Sequence, residues 1–219
     1  MQKFETPAPI AAVLAVPAGR VQIIAADRSD TVVEIRPMDA SKSRDVKAAD
    51  RATVACADGV LRVEVPVKNQ YLASGAVEVT VQLPAGSHVE VKAAGTEFRA
   101  VGRLGDVAFD GAYHRIRIDE AASLRLTAID GDVEVGRLGG SSEISTARGD
   151  IRIAEALGGK LVLGTQSGDI SVVAAAGVSA SLDAATACGR VGNDLRNDGA
   201  TELAIQATAS QGDITARSL

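Results

Sequence analysis

Asp132, Asp150, Asp169 and Asp213 share one setting: each follows a glycine and precedes Val or Ile, in DGDVEV, RGDIRI, SGDISV and QGDITA. Carboxylates that recur at a fixed interval suit two chemistries. A column of them can chelate Ca²⁺ through oxygen ligands. Two on neighbouring rungs, about 5 Å apart, match the separation of the acid pair in a retaining glycosidase.

The intervals bear on that choice. The glycines stand at 131, 149, 168 and 212, and a looser copy, CGRVGN, adds Gly189 in register, giving steps of 18, 19, 21 and 23 residues. A repeat this short has no room for a helix and reads as a stack of β-coils. The expected fold is all-β, a parallel β-solenoid.

Such a coil turns sharply at each corner. Glycine supplies φ > 0 at little steric cost. Asp can accept a bond from a backbone N–H two residues on, forming an Asx turn. The dipeptide is therefore explained without a ligand. The nonapeptide of Ca²⁺-binding β-rolls is absent, and Arg190 takes the acidic position in the fourth copy. A glycosidase needs a walled cleft, which coils this short cannot build. Arg148-Gly149-Asp150 spells a cell-attachment tripeptide, but the corner requires Gly-Asp there in any case. Gly131, Asp132, Gly149, Asp150, Gly168, Asp169, Gly189, Gly212 and Asp213 are thus read as structural corner residues. No catalytic residue, metal ligand or cofactor is expected, and the chain is read as non-enzymatic.

The strands that must carry these corners are visible. One follows each Gly-Asp: Val133 to Val135, Ile151 to Ile153, Ile170 to Val173 and Ile214 to Ala216. Another precedes it: Leu124 to Ala128, Glu143 to Thr146, Leu161 to Thr165, Ser181 to Ala184 and Leu203 to Thr208. Gly139-Gly140 and Gly158-Gly159 join them. Alternation points Val133, Val135, Ile151 and Ile153 inward, and Glu134 and Arg152 outward as an ion pair between rungs.

The first half is looser. VPAGRVQIIAA from Val16 resembles LPAGSHVEVKAA from Leu83, and both place Pro-Ala-Gly before an alternating strand. A hairpin is expected at Ala57-Asp58-Gly59. Met38 to Asp50 reads as a loop or short helix, and Lys68 to Gly75 as a loop. A soft boundary near residue 75 divides an irregular N-terminal β-layer (1–75), capping and continuous with the coils, from the solenoid proper (76–219).

Composition narrows the function classes. Of 219 residues, 46% are apolar but only 2% aromatic, with no Trp, so Val, Ile, Leu and Ala must form the core. Single-stranded nucleic acid wants aromatic stacking platforms. The net charge is −5 and the basic residues are dispersed, so nucleic acid is not an expected partner. No apolar run is long enough to span a bilayer. Ile10 to Val16 is apolar, but Pro7, Pro9 and Glu5 before it argue for a first strand rather than a leader. Cys56 and Cys188, and His88 and His114, are isolated in sequence and read as neither a disulfide framework nor a metal set.

The Gly-Asp repeat, the alternating strands that precede it, and L-x-V-x-x-G-x-V-x-I from Leu14 to Ile23 resemble the bacterial putative-adhesin domains of unknown function, which are β-strand-repeat proteins. The resemblance covers nearly the whole chain and is strongest from Leu124 to Leu219. It implies a right-handed β-solenoid-like fold and transfers no catalytic residue. The leading function is a binding or scaffold module for a protein partner. The alternatives are a self-assembling structural protein resembling the bactofilins, and an enzyme acting on polysaccharide. A homodimer through the C-terminal coil, Gln211 to Leu219, is expected because that strand would otherwise end the stack with an open edge. A cytoplasmic location is expected, with secretion or the cell surface as the alternative.

Overall fold

The computed structural model of the chain describes residues 1–66, 75–113 and 115–219. The loop expected at Lys68 to Gly75 lies outside these residues except for Gly75, and His114 lies outside them too. The chain divides into two compact units, Met1–His114 and Arg115–Leu219. Residue 75 falls inside the first, because the strands that follow it pair back onto earlier ones.

The first unit contains β1 (Gln2–Glu5), β2 (Ala11–Ala15), β3 (Ala18–Ala26), β4 (Asp30–Pro37), helix α1 (Ser43–Arg51), β5 (Thr53–Ala57), β6 (Val60–Glu64), β7 (Val77–Pro84) and β8 (His88–Tyr113). The apolar run from Ile10 forms β2, as a strand, but β1 precedes it. Alternation buries Ile10, Ala12, Leu14 and Val16. β2 lies parallel to β6 on one side and to the start of β8 on the other. β3 lies parallel to β7 and to a later part of β8. The pair β2–β3 therefore sits between β6–β7 and β8, out of chain order.

Antiparallel strands border this stack. β4 pairs with β7, β1 with β4, and β5 with β6. The β5–β6 hairpin turns where expected, with Asp58 and Gly59 both at positive φ (51° and 73°), as a two-residue hairpin loop of matching twist requires. The polar stretch after Met38 contains α1, whose Asp45 and Arg51 suit the dipole at its two ends. Asp45 is buried and its Oδ1 accepts the Ala76 N–H at 3.0 Å, which ties the helix to the entry of β7. Phe98 and Phe109 are buried with ring centroids 5.4 Å apart.

The second unit contains β9 (Ile116–Asp130), β10 (Val133–Leu138), β11 (Ser142–Arg148), β12 (Ile151–Ala156), β13 (Gly159–Ser167), β14 (Ile170–Ala174), β15 (Ala180–Cys188), β16 (Val191–Asp194), β17 (Leu203–Gln211) and β18 (Ile214–Ser218). Every pairing here is parallel. One row runs from the first part of β9 through β10, β12, β14 and β18 to β16. The other runs from the second part of β9 through β11, β13 and β17 to β15. The unit is all-β and β-solenoid-like.

The four residues expected to point inward, Val133, Val135, Ile151 and Ile153, lie in its core with others of the same rows. Val133, Val135, Leu138, Ile144, Ile151, Ile153, Leu161 and Leu163 are all 2% exposed or less. At about 25 cal/mol per Å² of apolar area removed from water, these aliphatic columns supply the main driving force for stacking. Gly136 and Arg137 both point outward between buried Val135 and Leu138, so the strand bends there while keeping one-to-one register with β9 and β12; the register shifts only in β12 against β14, between Ile153 and Ala156. The same break in alternation occurs at Asp119-Glu120 and Ala154-Glu155. A side chain at Gly136 would meet the Asp119 carbonyl at 2.5 Å.

One expectation about the end of the stack is corrected. β17 and β18 do not form an open edge, since each is paired on both sides, to β13 and β15 and to β14 and β16. The outermost coil is β15–β16, which comes earlier in the chain. Among the described residues, no helix is long and apolar enough to cross a membrane.

Candidate functional site

The corner residues come together in one column, ordered 131, 149, 168, 212, 189. Three observations fix that order. Val133, Ile151, Ile170 and Ile214 donate their N–H groups to the carbonyls of Asp150, Asp169, Asp213 and Arg190. Gly131, Gly149, Gly168 and Gly212 donate to Arg148, Ser167, Gln211 and Cys188. A Cβ on Gly149, Gly168, Gly212 or Gly189 would lie 2.2, 2.1, 2.0 or 2.0 Å from the carbonyl oxygen of Gly131, Gly149, Gly168 or Gly212. Successive corners thus touch backbone to backbone. Gly131, Gly149, Gly168 and Gly212 also take φ between 130° and 148°, a region closed to other residues without strain.

The carboxylates act across coils, not within their own turn. Asp132 Oδ1 accepts the Asp150 N–H at 3.0 Å, and Asp150 Oδ1 accepts the Asp169 N–H at 2.8 Å. Asp169 Oδ1 accepts the Asp213 N–H at 2.8 Å, and Asp213 Oδ1 accepts the Arg190 N–H at 2.9 Å. The Asx-turn geometry expected from sequence, with a donor two residues on, is replaced by this inter-coil ladder. The reason is geometric. The Gly149 and Ile151 N–H groups donate to the next coil, whereas the Asp150 N–H between them faces the preceding coil and meets the Asp132 carboxylate there. Each rung's side chain serves the rung above it.

Arg190 closes the ladder. Its guanidinium meets Asp213 Oδ2 at 2.9 Å in addition to the backbone bond. The Arg190 N–H and then the guanidinium hold the Asp213 carboxyl below the usual carboxylate range. Arg152 bonds Asp150 Oδ2 at 2.7 Å. Glu134 and Arg152 are register partners, as expected, but the ion pair is made elsewhere: Glu134 pairs with Arg117 at 2.6 Å. Thr165 and Thr186 reach the carbonyls of Gly149 and Gly212, so the corner's acceptors are partnered as well.

This arrangement leaves little for chemistry at the corner. The Oδ1 atoms that would ligate a cation already hold N–H groups. Among the described residues no cluster of three or more His, Cys, Asp or Glu is placed to hold a metal ion. Cys56 and Cys188 are unpaired thiols, and His88 Nδ1 accepts the Asp106 N–H at 3.1 Å.

Two hollows exist. One of about 430 Å³ lies on the outer side of β10 and β12, between Arg117, Asp119, Glu134, Gly136, Arg152 and Ala154. The other, of about 420 Å³, lies in the first unit beside Phe4, Pro7, Pro9, Ile10 and Cys56. Sequence reasoning missed both. The first depends on the outward residue Gly136, and the break of alternation in VEVGRL is its only trace in sequence.

The outer surfaces of the two rows differ. On one, Arg117, Glu134 and Arg152 stand in register with Ser171 and Thr215. On the other, Thr127, Ser145, Gly164, Thr208 and Ala185 form an uncharged column, beside a second outward column of Arg125, Glu143, Val162, Gln206 and Asp183.

A family model described as Toastrack DUF4097 matches residues 13–218. A solved structure of a putative adhesin from Bacteroides fragilis NCTC 9343 is similar over 98% of this chain and 95% of its own, with 13% identity and a TM-score of 0.57. A putative lipid binding protein from Parabacteroides distasonis ATCC 8503 covers the same shares at 11% identity, with a TM-score of 0.47. No curated protein matches the chain.

Proposed function

Because the chain belongs to the Toastrack DUF4097 family, whose β-solenoid-like coils it carries, we propose that it is a non-enzymatic binding or scaffold protein that presents flat coil faces to a protein partner. The observation that carries this reading is the corner ladder. The one repeated set of carboxylates in the chain is committed to backbone N–H groups, so the feature most suggestive of chemistry supports stacking. What the second unit offers outward is two faces, one with Arg117, Glu134 and Arg152, the other with an uncharged column of small residues and hydroxyls beside a column that includes Arg125, Glu143 and Asp183. The names of the solved relatives, adhesin and lipid binding protein, are binding names and agree with this class.

We further propose a right-handed coil, following the family resemblance, and a cytoplasmic location. Cys188 is exposed and unpaired, which suits a reducing compartment. A filament of the bactofilin kind gains no support. A further parallel coil would need a carboxylate at the last rung, and Arg190 stands there.

Photo-crosslinking side chains placed at Ser145 and Thr208, and separately at Arg117 and Arg152, test the reading in cells that make the protein. A protein captured from one face only, and competed away by excess purified chain, is the expected result. No captured protein from either face, together with polysaccharide hydrolysis lost on Asp150→Asn, would overturn it.

A further inference from the structure

We infer that Arg190, together with Asn193, sets the spatial order of the last two coils, and that β15–β16 and β17–β18 are alternative occupants of one slot against β13–β14. In chain order β15–β16 should come first. In space β17–β18 takes the slot and β15–β16 lies outside it.

The ladder accounts for this. Each rung's N–H goes to the carboxylate of the rung before it, so every rung but the last must carry a carboxylate. Asp132, Asp150, Asp169 and Asp213 do, and Arg190 does not. Stacked in chain order, the Asp213 N–H would face Arg190 and lose its acceptor. In the observed order the N–H groups of Asp150, Asp169, Asp213 and Arg190 all have a carboxylate acceptor.

Asn193 acts in the same direction. It is the register partner of Ala216, which is buried beside Val172. In the slot its amide would enter an apolar layer, an unfavourable burial unless a partner is supplied. In the outermost coil it is exposed, and its Oδ1 accepts the Leu195 N–H at 3.1 Å.

Several core positions are equivalent in the two coils, although Ala180 stands where the other coil has the buried Leu203. Leu182 matches Ile205 beside Leu161, Ala184 matches Ala207 beside Leu163, and Val191 matches Ile214 beside Ile170. Gly189 and Gly212 each stand close enough to the next corner that a Cβ would lie 2.0 Å from its carbonyl oxygen, although only Gly212 has positive φ. The connections also allow exchange. Residues 175–179 and 195–202 join the strand rows here, whereas Leu157 and Gly158 alone join β12 to β13. The longer connections carry the chain out past the slot and back again, and chain-order stacking would ask less of them.

Engineered disulfides read the order directly. Ser171 is the register partner of Thr215, and Thr215 of Gly192. Neighbouring strands stand about 4.8 Å apart and next-but-one strands about 9.6 Å, beyond the roughly 7 Å limit for a bridge. With Cys56 and Cys188 replaced by Ser, Ser171→Cys/Thr215→Cys should oxidise nearly fully, and Ser171→Cys/Gly192→Cys should not. Exchanging the marks (Arg190→Asp, Asn193→Ala, Asp213→Arg, Ala216→Asn) should reverse the two yields. Arg190→Asp with Asn193→Ala alone keeps Asp213 and leaves both orders acceptable. Both bridges should then form in that background, each at tens of per cent. A 171–192 bridge in the parent would overturn the inference. So would an exclusive 171–215 bridge in the Arg190→Asp/Asn193→Ala chain, and this chain decides the matter if the fourfold variant shows no cooperative unfolding.

Discussion

At the scale of single residues, the corner glycines are held by two separate constraints. Gly168 has φ 148° and would place a Cβ 2.1 Å from the Gly149 carbonyl oxygen, whereas Gly177 has φ 83° with nothing within 4 Å. Gly177→Ala should therefore cost only the conformational strain, about 1 kcal/mol. Gly168→Ala must also push two coils apart and should cost about 3 kcal/mol. Urea midpoints of the two variants measure the difference, and equal midpoints would contradict the backbone contact. Asp150 offers a second comparison. Asn keeps an oxygen for the Asp169 N–H, so Asp150→Asn should lie within about 0.5 kcal/mol of the parent, while Asp150→Ala should lose about 0.5–1.5 kcal/mol. The corner residues were legible from their spacing. The partner of each carboxylate was not, because an Asx turn and an inter-coil bond ask for the same Gly-Asp dipeptide. Only the placement of the next coil separates them.

At the scale of elements, the depressed carboxyls determine what acid does first. Asp213 is held low by Arg190, in the contact between β18 and the outermost coil. Asp39, before α1, is drawn down to about 2 by the Ser41 hydroxyl and N–H and by Lys42. For a carboxyl lowered on folding, the stabilising contribution is complete above its unfolded pKa, about 3.9, and is lost as pH falls through the lower folded value. The β15–β16 coil and the turn before α1 should therefore loosen below about pH 4. Amide exchange at Arg190 and Ser41 followed from pH 6 to pH 2.5 checks this; protection unchanged throughout would contradict it. The elements themselves were largely readable from alternation and turn residues: the hairpin at Asp58-Gly59, the strands flanking each corner, and the polar stretch that became α1. The bends shared by β9, β10 and β12 were not foreseen. Gly136-Arg137 reads as a slip in alternation, and two outward residues in a row look the same whether a strand bends or ends.

At the scale of the whole molecule, the order of the coils was the largest thing missed. Consecutive elements are usually neighbours, and the expected stack of Gly-Asp coils follows that default. The observed order departs from it, with β17–β18 between β13–β14 and β15–β16; in the first unit β2–β3 lies between β6–β7 and β8, and β4 pairs with β1 and β7. In the second unit the signal was present in the residues. The copy with Arg190 in the acidic position is the copy placed last, and the steps lengthen from 18 and 19 to 21 and 23 residues just where the chain travels out and returns.

The interpolated strand pair also has a mechanical meaning. A force applied at Leu219 along β18 loads it in shear, against β14 on one side and β16 on the other. Both rows of bonds resist together, whereas an outermost strand would be held by one. The chain's terminal segment should thus act as a wedge under tension. Tweezers with handles at Ser141 and Leu219 should register a single high-force event that releases β15 to β18 at once, and a stepwise low-force peeling would show that the two rows do not share the load. A stack finished in chain order would unravel from its end under a modest pull. This one is fastened from within.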